Sequence, residues 1–78
     1  MEMIEIAPRI AVTADIQGGR PVIKGTRIPV DIILGQMAAG LGQDEIIKEY
    51  GVAREDVLAV LSYAAQTLAK DQVHAIAK

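Results

Sequence analysis

Apolar residues recur along this chain in two different rhythms. From Val30 onward the period is helical. Val30, Ile33, Leu34, Met37, Ala38 and Leu41 stand at i, i+3, i+4, i+7, i+8 and i+11, which predicts an amphipathic helix closing near Ala39-Gly40. Gly35 lies inside it at a cost in helix propensity, and a close helix–helix or helix–strand contact is the expected reason. A second helix is predicted from Gln43 to Tyr50, with Asp44 and Glu45 in the first turn, where the macrodipole favours acids. Gly51 follows as a left-handed stop. A third helix starts near Arg54 and can run to about Lys70 or beyond, with Val57, Leu61, Ala64 and Leu68 as its inward stripe. Leu58 and Ala65 fall on another flank. The stripe breaks at Asp71, and Val73 and Ile76 lie beyond it.

Before residue 30 the rhythm is that of strands. Ile10, Val12 and Ile16 share one parity, Pro8 interrupts the run, and a strand is expected over 9–13 with a few extended residues ahead of it. Gly18-Gly19 can adopt positive φ without steric cost. Val22-Ile23-Lys24 and Arg27-Ile28 then flank Gly25-Thr26. A two-residue turn with Gly25 at its first central position predicts Ile23 facing Ile28 and Lys24 facing Arg27. Pro29 holds Ile28 extended and can open the following helix at its first position. The fold class expected is α+β. It comprises a small N-terminal sheet or hairpin over 1–29 and a helical unit over 30–78, together one domain.

Composition narrows the chemistry. The chain has 78 residues and no Cys, Phe or Trp, so its core is built from Ile, Val, Leu, Ala and Met. A domain this small buries only about 60% of its unfolded surface, and association is a common remedy; a homodimer joined through its N-terminal strands is expected. No disulfide or thiolate metal site is available. No apolar run approaches the roughly 18 residues of a membrane span, so a soluble, cytoplasmic protein without membrane contact is expected. His74 is the only His and Ser62 the only Ser. Carboxylates sit in helix first turns, where they cap and solubilise. No catalytic constellation and no phosphate loop emerges, so the expectation is a protein that is not an enzyme and uses no cofactor.

Net charge is −2, yet its distribution is uneven. Arg20, Lys24 and Arg27 form a basic rim on the hairpin, while the helical body is acidic. The rim is the preferred set of candidate DNA phosphate contacts, with an ordinary solvated surface as the other reading. Around Gly51, the residues Ile46, Ile47, Val52, Val57 and Val60 take the buried places of a helix-turn-helix. The outward face of its second helix offers Arg54 beside Glu55 and Asp56, a poor base reader, so a packing scaffold is the favoured role for this unit. Leu58, Leu68, Val73 and Ile76 are candidate contacts for a partner protein.

The stretch Gly18-Gly19-Arg20-Pro21-Val22-Ile23-Lys24-Gly25-Thr26-Arg27-Ile28-Pro29-Val30 also carries a resemblance. With Asp44-Glu45-Ile46-Ile47, Glu49-Tyr50, Glu55-Asp56-Val57 and Leu61-Ser62-Tyr63-Ala64-Ala65, it resembles the domain of unknown function 433 family over about residues 10–66. Gly19, Pro21, Val22, Gly25, Thr26 and Pro29 are the hairpin and turn positions of that motif. The resemblance implies a homeodomain-like helix-turn-helix fold. It further implies an antitoxin-type role of the VapB kind beside a PIN-like nuclease toxin, with autoregulation through DNA as a dimer. A DNA-binding regulator without a toxin, or a non-enzymatic dimerisation module, are the alternatives.

Overall fold

A computed structural model describes residues 3–70 of the chain. Three short strands, β1 (Ile4–Ala7), β2 (Ile10–Val12) and β3 (Val22–Ile23), precede three helices, α1 (Val30–Ala38), α2 (Gln43–Tyr50) and α3 (Arg54–Lys70). The sheet is antiparallel in the order β1-β2-β3. Pro8-Arg9 turns β1 into β2 with Arg9 at φ +67°, and a register shift between Glu5 and Ala7 marks a bulge. Ile4–Ala7, expected only as extended residues, is thus an edge strand of the sheet.

The core forms where the sheet meets the helices. Ile10 and Ile23 from the sheet pack with Val30 and Ile33 of α1, Ile46 of α2, Val52, and Val57 and Val60 of α3. Only branched aliphatic side chains appear in that set. These side chains have little rotamer freedom to lose, which suits a small core without Phe or Trp.

Local caps explain where the helices begin and end. Glu45 Oε1 accepts the Gly42 N–H at 2.7 Å at the start of α2, and Gly51 closes that helix at φ +68°. Asp56 Oδ2 accepts the Ala53 N–H at 2.9 Å at the start of α3. Both carboxylates therefore answer backbone donors that the helix leaves unpaired.

Several expectations change. Gly25 has positive φ, +83°, but the Thr26 N–H closes the turn onto the Ile23 carbonyl at 2.9 Å, which puts Gly25 second of the central pair rather than first. Lys24 is consequently a turn residue, not a rung opposite Arg27, while the Ile23 N–H still reaches the Ile28 carbonyl at 3.0 Å. Pro29 is the extended cap before α1, and Val30 is the first helical residue. Gly35 is exposed, and a Cβ there would meet nothing within 4 Å, so no close packing requires it. Ala38 is exposed too. On α3 the inward residues are Val57 and Val60 with Tyr63 half-buried, whereas Leu61 and Leu68 are exposed. The core contacts α3 only along its first turns, and a covering element at 3.6-residue spacing selects 57, 60 and 63–64 rather than 61 and 68.

Candidate functional site

The hairpin motif residues form a cross-braced loop ahead of α1. Val22 is buried, pairs with Ala11 of β2 and bridges to Pro29 on its other side. The Val30 N–H donates to the Pro21 carbonyl at 2.9 Å, so the first residue of α1 is tied to the residue that enters β3. The Thr26 hydroxyl donates to the Ile23 carbonyl at 2.7 Å and accepts the Ile28 N–H at 3.0 Å. One hydroxyl thus satisfies two backbone groups in a turn too tight to pair them directly. Gly18 and Gly19, at φ +65° and +88°, supply the left-handed turn before Arg20. These roles account structurally for Gly19, Pro21, Val22, Gly25, Thr26 and Pro29.

The basic residues do not share one state. Arg20 Nη2 donates to both carboxylate oxygens of Asp31, at 2.8 and 2.6 Å. Lys24 Nζ donates to Glu5 Oε1 at 2.7 Å. Arg54 reaches Asp44 Oδ1 and Gln43 Oε1, each at 2.6 Å, and so clasps the start of α2 to the start of α3. Arg27 has no carboxylate partner among the described residues; its carbonyl accepts from Gln17 Nε2 at 3.2 Å. It lies at the rim of a cavity of about 300 Å³ whose walls include Ala11, Ile16 and Val22. Of the four bases singled out in the sequence, three are matched by acids.

An acid–base chain joins sheet to helix. Glu5 accepts from Lys24 through Oε1 and from the Arg9 N–H through Oε2, at 2.9 Å for the latter. Arg9 Nε donates to Asp56 Oδ1 at 2.9 Å, and the Lys24 N–H donates to the Arg9 carbonyl at 2.8 Å. The Lys24 ammonium chiefly, and then the Arg9 N–H, hold the Glu5 carboxyl below its ordinary value of 4.5; partial desolvation works weakly the other way. Arg9 and Glu5 carry no local sequence signal for this role, because their partners lie 47 and 19 residues away.

Two apolar surfaces remain on α3. One is a groove of about 420 Å³ between α1 and the C-terminal half of α3, lined by Pro21, Val30, Leu34, Tyr63, Ala64 and Leu68, with Arg20, Asp31 and Thr67 also on its walls. The other is the outward face that carries Leu58, which is 51% exposed; Leu68, 72% exposed, belongs to both surfaces. Val73 and Ile76, the remaining partner-contact candidates, lie outside the described residues, as does His74. Among the described residues no group of three or more His, Cys, Asp or Glu side chains could hold a metal ion. No helix among them is long and apolar enough to cross a membrane.

Together these features define a small α+β domain: an antiparallel three-stranded sheet laid on three helices, with a braced hairpin at their junction. Residues 10–64 match the family described as Protein of unknown function (DUF433), and the chain belongs to that family. No curated protein and no solved structure matches it.

Proposed function

We propose that this chain is a non-enzymatic protein-binding module of the antitoxin type, which neutralises a PIN-like nuclease toxin. The observation that carries the reading is the α1–α3 groove. It is an apolar concavity between two helices of one domain, and no segment among residues 3–70 fills it. Such grooves receive an amphipathic helix or an extended peptide from a partner. The antitoxin role itself comes from what the resemblance of the hairpin motif and the following helices to the domain of unknown function 433 family implies.

The paired charges favour protein over DNA as the principal partner. Arg54, on the helix that would enter a major groove, is already engaged by Asp44 and Gln43. The runner-up is DNA binding through the hairpin rim. Arg27 supports it, since exposed pairs such as Arg20–Asp31 are individually weak and phosphate can displace them.

The test is co-expression with a PIN-like nuclease encoded beside this chain. The expected result is a stoichiometric complex that survives purification and has lost ribonuclease activity. Thr67→Arg, on the groove wall and clear of the core, should weaken the complex at least about tenfold. Free nuclease of undiminished activity would overturn the reading.

A further inference from the structure

The outward face of α3 has an organisation the core does not use. From Val57 through Ala69 the sequence contains no charged residue. A helix with one face in water ordinarily carries Lys, Arg, Asp or Glu there. Single exposed leucines are unremarkable on a monomer, but a solvent face without charge over three turns is not. Within that face Leu58, Leu61, Ala65 and Leu68 are all exposed and spaced 3, 4 and 3 apart. This is the a/d spacing along which two helices pack at a shallow angle. The stripe is turned away from Val60, the centre of the buried side.

We infer that this stripe is a self-association surface: α3 packs antiparallel against α3 of a second copy, about a two-fold axis near Tyr63. In that arrangement Leu58 faces Leu68 of the second copy, and Leu61 faces its Ala65. Each layer then holds at least one Leu. A parallel pairing would instead set Ala65 against Ala65 and leave a void between two Leu layers, which costs stability in proportion to its volume. The flanking residues Ser62, Ala64 and Ala69 are small and let the backbones approach. The occupant is a copy of this chain because the stripe complements itself when reversed about a two-fold axis, where residue i meets residue j and j meets i. A charged stripe would repel itself there; this one has nothing to repel. The stripe shares Leu68 with the α1–α3 groove, whereas Leu58 and Leu61 do not line it, so Leu58→Glu is the variant that separates this inference from the toxin reading. The inference also moves the expected dimer contact from the strands to α3.

Sedimentation equilibrium and disulfide trapping test it. Wild-type protein should dimerise in the micromolar range, and Leu58→Glu or Leu68→Glu should weaken association at least about tenfold with helical circular dichroism unchanged. The chain has no Cys, so Leu58→Cys and Leu68→Cys chains can be mixed and oxidised. The antiparallel pair predicts the 58–68 mixed disulfide in large excess. In that pair the two copies of residue 58 are about 15 Å apart along the helix, at 1.5 Å per residue. A monomer at about 100 µM, far above the expected dissociation constant, would overturn the inference. So would a dimer indifferent to both Glu variants, which would point to the β1 edge with Ile4 and Ile6. Homodisulfides at 58 and at 68 would overturn the antiparallel geometry. Leu58→Glu should be monomeric yet still capture the nuclease, which separates this surface from the groove; a Leu58→Glu chain that stays dimeric but loses nuclease capture would overturn the inference, because Leu58 would then serve the nuclease contact.

Discussion

Arg9 Nε and Asp56 Oδ1 meet at 2.9 Å across 47 residues of sequence. Arg9 is the left-handed residue of the β1–β2 turn, and Asp56 lies in the first turn of α3. The pair clamps the sheet to the helix. Its two members are unequal: Asp56 is only 16% exposed and also caps Ala53, while Arg9 is 50% exposed and can rehydrate.

Asp56→Ala should therefore destabilise by about 1–2 kcal/mol, because a charge-assisted bond to a backbone N–H is lost together with the ion pair. Arg9→Ala should cost under about 1 kcal/mol, the scale of an exposed pair. Urea unfolding midpoints for the two variants and the double mutant check this. Equal losses for both single variants would mean that the cap contributes nothing.

Glu5 gives a pH prediction with a definite sign. Its carboxyl titrates lower in the folded chain than its ordinary 4.5, because Lys24 and the Arg9 N–H favour the ionised form. The stabilisation is thus complete above 4.5 and is lost as the pH falls through the lowered folded value. The melting midpoint of Glu5→Gln should lie below that of wild type at neutral pH, with the gap closing as the pH falls below 4.5. A gap constant with pH would mean that Glu5 acts through packing.

Two glycines should respond in opposite directions. Gly25 sits at φ +83° with open space around a Cβ, so Gly25→Val costs backbone strain alone, about 1–3 kcal/mol, and Gly25→Asn less. Gly35 is helical, exposed and equally unobstructed, so Gly35→Ala should stabilise by about 0.5–1 kcal/mol. Thermal or urea unfolding reads both. A destabilised Gly35→Ala would reveal a contact made only in an assembly.

If DNA is bound through the hairpin, Arg27→Ala should weaken binding about equally on any duplex and flatten the salt dependence by roughly one unit. Arg54→Ala should leave it unchanged. Fluorescence anisotropy over a salt series distinguishes these. Sequence-selective binding abolished by Arg54→Ala would make α3 the reader and would remove its outward face from self-association.

Local relationships were legible in the chain from the start. The bounds of α2, the left-handed Gly51, the acids in the helix first turns and the positive φ of Gly25 each depend on neighbours within one helical turn or one hairpin, and short-range propensity and steric rules decide them. The family motif was legible for the same reason, since it occupies one continuous hairpin. The spacing around Gly51 already named Val57 and Val60 as buried, and tertiary structure alone decided that Leu61 and Leu68 are not. Leu61 and Leu68 follow the helical period as well as Val57 and Val60 do. Only the placement of the sheet and α1 against the first turns of α3 buries one pair and exposes the other. It also decided the charges: Lys24 reads as a basic rim until folding brings Glu5 beside it, and Arg9 reads as the first residue of a strand until the turn forms and Asp56 arrives from 47 positions away. Charge pairing depends on distance through space, and a sequence specifies that distance only through the whole packed core.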